Sequence, residues 1–484
     1  MTVSFEQLEN LYRLAPEIVL CGTGILIMLV DGFLSAANKK AMGWLAFAGT
    51  LVALAAIGLS ARHEGPAYSG LIVVNPFSLF LHTIVVGVAA LAILGSFHYL
   101  DEERIQRGEY YALILFASAG MGILAGANEL VTAFLGLEMS SISSYVLAGF
   151  RRSALKSNEA SLKYFVLGSF ATAFFLYGIA MVYGATGTTN IEAIQKAVAS
   201  APSSSLLILG VGMIFVGLGF KVVAAPFHIY APDVYEGAPT PVTALLASGP
   251  KAATFALMLR IFYTAFSIAN PIWLWGIWIA AVLSMFVGNL AALAQSNVKR
   301  MLAYSSIAHA GYILVAFAAS TEIGIAAVLF YLAAYALMKL GAFLVVTQVG
   351  GIGEKRLEIK DYAGLGTQQP VLAACFTLFL LSLLGLPATA GFLGKFYAFQ
   401  AALDSRLVWL VVLAAINSVI GAYYYLRVII AMYFWDPQTE FPTTKVGPAI
   451  AVALSLAAAG TLYLGIFPSR VMYFAWLSAK SLIR

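Results

Sequence analysis

Apolar residues run for roughly 20 positions at a time, the length a helix needs to cross ~30 Å of bilayer hydrocarbon, with polar residues gathered between the runs. Fourteen such runs lie near 14–33, 41–60, 72–98, 110–127, 129–150, 159–184, 205–227, 240–264, 271–294, 301–320, 323–349, 370–400, 406–434 and 447–467. The twelfth is long and interrupted, and is read as one broken crossing. A short amphipathic tail follows from Arg470. The pattern predicts an all-α polytopic membrane protein with 14 transmembrane helices.

Composition agrees with the pattern. Hydrophobic residues make up 61% and charged residues only 10%, whereas about a quarter of a soluble domain is charged. The net charge of +5 is explained by loop placement and calls for no nucleic-acid partner. Lys39, Lys40, Arg104, Arg107, Arg151, Arg152, Lys299 and Arg300 fall in alternate loops. The positive-inside rule puts those loops in the cytoplasm and both termini on the outer face. The polar, acidic opening residues do not resemble the start of a signal peptide. Cys21 and Cys375 lie in separate apolar runs and cannot together hold a cluster or a zinc ion.

An internal regularity suggests duplication. Lys163 and Lys339 are 176 positions apart, Lys221 and Lys395 are 174, and Lys251 and Arg427 are 176. Such an offset implies two five-helix repeats; five being odd, the second copy is inverted, each carrying a discontinuous helix. The expected organisation is 1–109 for three N-terminal helices, 110–265 and 266–435 for the repeats, and 436–484 for the last helix and tail.

An ionisable group at a helix centre costs ~2.5–3.5 kcal/mol on insertion scales, so each one needs a reason. Glu138, Lys221, Lys251, Lys339 and Lys395 all sit inside apolar runs. Lys221 precedes Pro226, and Lys395 follows Pro387 and Gly391. Helix breaks at membrane depth are tolerated only where protein or water satisfies the freed backbone groups. The expectation is a hydrated proton path of Glu138, Lys163, Lys221, Lys251, Lys339 and Lys395, with His309 and His228 as titrating partners. The alternative is a set of fixed ion pairs holding helices together; Lys163 could also be a lysine snorkelling to the interface. Arg427 holds its proton at any working pH and reads as a fixed charge. His82 reads as a packing histidine. Asp233 and Glu236 read as solvated or capping groups that could attract protons at the entrance. Gly394-Lys395 lacks the rest of a phosphate loop, and nothing suggests a redox centre.

Three blocks resemble the antiporter-like proton-channel subunits of respiratory complex I: FKVVAAPFHIYAPDVYEGAPTPVTALLASGPKAA, NVKRMLAYSSIAHAGYIL and LSLLGLPATAGFLGKFYAF. SNEASLKYFVLGSFATAFFLYGIAMVYGATGT and GLEMSSISSYVLAGF resemble the subunit N branch, the counterpart of the second mitochondrial NADH dehydrogenase subunit. The resemblance implies a translocase subunit in the bacterial inner membrane, with subunits M and K as neighbours. NADH, FMN, iron–sulfur clusters and quinone would be handled by other subunits and none bound by this chain. It also implies Glu138 with Lys163 as coupling pair, Lys221 as first-half lysine, Lys251 as bridge, Lys395 on the exit side and His309 in the second half. Multi-subunit cation/proton antiporters and energy-converting hydrogenases share the lysine blocks and are the nearest rivals.

Overall fold

The computed structural model describes residues 5–35, 38–200, 204–267, 270–437 and 446–483. The N-terminal unit opens with α1 (Phe5–Arg13), which meets α2 (Ala15–Asp31) at a 70° bend. α3 (Lys40–Ser60) and α4 (Pro76–Glu102) follow, joined through an antiparallel hairpin of β1 (Gly65–Ala67) and β2 (Ile72–Val74). The start of α4 is local chemistry: Asn75 is the N-cap, Pro76 follows it, and the Asn75 and Ser78 side chains each accept from the other's backbone N–H.

The next group comprises α5 (Gly108–Gly126), α6 (Leu130–Ala148), α7 (Leu155–Thr186), the short α8 (Ile191–Ser200), α9 (Ser205–Lys221), α10 (Ala231–Gly237) and α11 (Thr240–Arg260). α12 (Asn270–Leu293), α13 (Val298–Ala318) and α14 (Glu322–Gly350) come next, then short turns leading to α15 (Leu365–Gln368). α16 (Pro370–Leu384), α17 (Ala390–Asp404), α18 (Val408–Phe434) and α19 (Pro448–Ile466) follow, and the amphipathic tail is α20 (Ser469–Ile483).

Each expected apolar run is helical, but fourteen full-length crossings are not seen. Among the described residues, 11 helices are long and apolar enough to span a bilayer, or 12 with the bent pair α1–α2 counted as one. Ser205–Lys221 and Pro370–Leu384 are shorter apolar helices. Their runs stop short because neither helix continues through the proline that follows, Pro226 or Pro387. The equal spacing of Lys221 and Lys395 also conceals a difference: Lys221 ends the helix before its break, whereas Lys395 stands in the helix after its break.

The centre of the bundle is built from α11, α13 and α14. Their apolar stretches are 94%, 94% and 83% buried, against 39% or less for α3, α7, α18 and α19. Close approach of neighbouring helices depends on small residues, as expected where lipid tails are as apolar as leucine. A Cβ on Gly120 of α5 would lie 2.6 Å from the Ser140 nitrogen and 2.8 Å from the Gly136 carbonyl; one on Gly136 of α6 would lie 3.0 Å from the Gly120 carbonyl. This contact fixes α6, the helix that carries Glu138. Gly212 of α9, by contrast, has nothing within 4 Å of such a position. Gly136→Val is therefore expected to destabilise the protein by ~1–3 kcal/mol, as overpacking does, while Gly212→Val is tolerated. Thermal unfolding of the two variants in detergent checks this, and equal stabilities would contradict it.

Candidate functional site

The two helix breaks each bring a lysine to a helix C-terminus, where unpaired carbonyls carry partial negative charge. Lys221 is the last residue of α9. Its Nζ donates to Ser141 Oγ at 2.6 Å and to the Tyr145 hydroxyl at 3.1 Å, both on α6. Beyond it the chain leaves the helix, with Val223 at φ +63°, and the freed Ala225 N–H donates to Ser284 Oγ at 2.8 Å. In the second break Lys395 donates to the carbonyl of Leu384, the last residue of α16, at 2.7 Å, and to Ser418 Oγ at 2.9 Å. Only glycine fits at 391, since a Cβ there would come within 1.8 Å of the Ser382 carbonyl.

Between the breaks lie two more buried amines. Lys251 on α11 donates to the Ser306 carbonyl at 2.7 Å and reaches the Tyr335 hydroxyl at 3.5 Å. Lys339 on α14 donates to the Leu302 carbonyl at 2.6 Å and to Ser305 Oγ at 2.9 Å. From Lys339 an unbroken chain of direct contacts continues. Ser305 Oγ lies 2.5 Å from the Tyr425 hydroxyl, which lies 3.2 Å from His309 Nε2, and His309 Nδ1 lies 2.8 Å from the Tyr331 hydroxyl. Ser305, Ser306 and His309 share one face of α13, so a single helix presents the groups that link Lys251, Lys339 and the imidazole. No direct bond joins His309 to Lys395; the Tyr312 ring stands between them, 5.7 Å from the imidazole and 4.6 Å from the Lys395 nitrogen.

Between α6, α9 and α11, Lys221 borders a small space. A cavity of about 10 Å³ is lined by Ser140, Ser141, Ser144, Lys221, Pro250 and Thr254, which is close to the room one water needs among polar partners. Pro250 lies inside α11 and has no N–H for the Leu246 carbonyl. The Tyr235 hydroxyl of α10 satisfies that carbonyl instead, at 3.3 Å.

Two expected members stand apart. Glu138 forms no ion pair among the described residues, and its Oε1 is buried with no hydrogen-bond partner. The expected pairing with Lys163 is not present. Lys163 is 40% exposed and bonds Glu159, one turn before it, at 2.7 Å and Asp233 of α10 at 2.6 Å. These carboxylates satisfy it first. His228 falls within the first break, half-buried, with its Nδ1 lacking a partner. Asp233 and Glu236 are partly exposed and also ion-paired: Arg300 bonds both, at 2.8 and 2.9 Å, and Lys156 bonds Glu236 at 3.1 Å. Arg427 donates to the Gln295 carbonyl at 3.4 Å.

The family model described as NADH:quinone oxidoreductase/Mrp antiporter, TM, matches residues 127–421. Subunit N 2 of NADH-quinone oxidoreductase from Koribacter versatilis is 50% identical over 481 residues, covering 98% of this chain and 97% of that protein. Subunit N 1 from Solibacter usitatus is 48% identical over 476 residues, covering 98% of both. The chain belongs to the NADH-quinone oxidoreductase subunit N family. Members of the subunit N family are subunits of a proton-translocating complex. A chain of respiratory complex I from Thermus thermophilus with bound aureothin superposes with TM-score 0.81 at 36% identity, covering 95% of this chain and 98% of that one. A chain of the Mrp complex from a Dietzia species shares the fold, with TM-score 0.85 at 22% identity and 98% coverage of both.

The hydroxyls that connect the amines, on Ser141, Tyr145, Ser305, Tyr335, Ser418 and Tyr425, escaped the reading by charge. Their signal was present: SSISSY and SSIAHAGY place polar residues at helical spacing inside apolar runs. Glu354 left no such signal. It lies in a turn after α14, its side chain 8% exposed, bonding Lys299 at 2.8 Å, the Thr240 N–H at 2.8 Å, Thr240 Oγ1 at 2.7 Å and the Tyr99 hydroxyl at 2.9 Å. Burial pushes its carboxyl up, but Lys299, the Thr240 donors and Arg151 outweigh this and hold it below its ordinary 4.5. A lowered value favours the folded state fully above the ordinary range, and that stabilisation is lost as pH falls through the lowered value. Glu354→Gln is expected to destabilise by ~3–5 kcal/mol, because it strands the Lys299 charge in the interior. It should also flatten the acid limb of stability. Thermal unfolding of both proteins from neutral to acidic pH measures the two effects; parallel curves would count against them.

Proposed function

We propose that this chain is a proton-translocating membrane-arm subunit of NADH:quinone oxidoreductase, driven by redox chemistry on other subunits. The observation that carries the reading is the continuous file Lys339–Ser305–Tyr425–His309–Tyr331. Protons enter from the cytoplasmic side at Lys221, pass by water to Lys251, cross through Lys339 and His309, and leave by Lys395. His228, in the first break, connects Lys221 to cytoplasmic water. Glu138 is the switching charge: Ser141, the hydroxyl that holds Lys221, lies one turn further along α6. A nearby carboxylate favours the ammonium form, and its withdrawal leaves burial to expel the proton. A swing of about 3 pKa units supplies ~4 kcal/mol, comparable with the ~3.5–4.6 kcal/mol needed against 150–200 mV.

The same reading counts the broken pairs α9–α10 and α16–α17 as one crossing each. It thereby gives fourteen crossings in two inverted repeats, both termini outside, and subunits M and K as flanking partners. Near-full-length identity to subunit N relatives favours it over a free-standing antiporter.

Lys221→Met and Lys395→Met are expected to assemble and yet pump fewer protons per electron in vesicles energised with NADH; normal pumping would remove both residues from the path. Tyr425→Phe keeps the ring but deletes the hydroxyl between Ser305 and His309. It should slow proton transfer tenfold or more, the equivalent of ~1.4 kcal/mol, with assembly intact. A parental pumping rate in this variant would mean that the file is not used.

A further inference from the structure

A second buried acid–base cluster lies outside this file, among helices of the N-terminal unit. Glu17, in the first turn of α2, is 5% exposed, and His82 on α4 is 6% exposed. Glu17 Oε1 pairs with His82 Nε2. On the far side of the ring, Nδ1 lies 2.6 Å from the Ser78 carbonyl oxygen. That oxygen can only accept, so Nδ1 carries a hydrogen. The Nε2–Oε1 contact is then attractive only with a proton in it, either as imidazolium against carboxylate or as imidazole accepting from a carboxylic acid. The pair is built to hold one proton.

Its surroundings place it beside the first half of the path. Gly122 of α5 packs directly on the pair: a Cβ there would lie 2.5 Å from Glu17 Oε1 and 3.1 Å from His82 Nε2. The preceding residue, Met121, lines the Lys221 cavity together with Thr254 of α11. Six residues on from Thr254, Arg260 acts on the charge of His82. One helix, α5, therefore separates Lys221 from the pair, and α11 borders both. Arg260 is 4% exposed, donates to the Ala125 carbonyl at 3.1 Å and lies 5.4 Å from the ring of Phe77, the residue before Ser78, so it supplies a fixed positive charge on the His82 side of the pair. The other titratable groups nearby are Cys21, one turn along α2, and Glu192 of α8, which faces Arg260.

We infer that Glu17 and His82 form a proton-holding branch that takes a share of the protons from the Lys221 half of the path, beside those that leave by Lys395, and releases them at the outer face. Only one N–H or O–H bond forms and breaks at the contact in each cycle. The inference rests on the path and orientation proposed above. The test uses the assembled complex in vesicles, with Glu17→Gln and His82→Gln compared with Lys221→Met from mildly acidic to mildly alkaline pH. Both variants are expected to keep quinone reduction and to lower protons per electron by part of the loss seen in Lys221→Met, with the pH dependence of pumping altered. If Lys221→Met lowers the ratio while both variants keep the parental ratio and pH profile, this inference is overturned and the path survives. If Lys221→Met itself pumps normally, the path has failed first and this site falls with it. Should a single variant not assemble, Glu17→Gln/His82→Gln takes its place with the same readings, because its two amides can bond each other without titrating.

Discussion

Four lysine amines buried in a helical bundle without carboxylate partners set the terms for the rest of this structure. Lys221, Lys251, Lys339 and Lys395 are each 6% exposed or less. The lysine ion pairs among the described residues involve Lys39, Lys40, Lys156, Lys163 and Lys299 instead. An ammonium has three hydrogens to place, and each of these four meets two neutral acceptors, a hydroxyl together with a carbonyl or a second hydroxyl. The bundle can keep such groups because helix ends, serines and tyrosines are brought to them. The helix breaks, the central placement of α11, α13 and α14, and the serine-rich faces of α6 and α13 all serve that requirement.

Charge is divided by location. At the helix ends acids and bases are tightly matched: Arg300 clamps Asp233 and Glu236, and Glu354 gathers Lys299, Thr240 and Tyr99. These contacts tether α10 to α7 and α13, and tie the turn after α14 to the start of α11. In the middle of the bundle the amines meet neutral groups whose hold does not depend on a fixed counter-charge. A locked scaffold would show matched pairs throughout. The proposed path for protons calls for matched pairs where the structure is anchored and amines without a fixed counter-charge where the proton would move, and the division of charge seen here agrees with it.

The apolar runs, the proline breaks and the buried amines were legible in the sequence because each is written in neighbouring residues. A run of apolar side chains must leave water, a proline takes a backbone donor from a helix, and a lysine in such a run needs a reason wherever the helix lands. The hydroxyls of SSISSY and SSIAHAGY were legible in principle by the same periodicity. What the runs could not convey was length as a helix: two of them are cut into pieces too short to cross alone.

Partnership was decided by tertiary structure alone. Lys163 turned from Glu138 to Asp233, 70 positions along the chain, because α10 folds back beside α7. His82, which reads as a packing residue, found Glu17, 65 positions earlier. Glu354, in a turn with no periodicity, became the hub of its face. Sequence fixes which residues are in the membrane, since burial follows local composition. Which of them touch depends on how each helix is rotated and how deep it sits, and that is set by glycine contacts and packing between segments far apart in the chain.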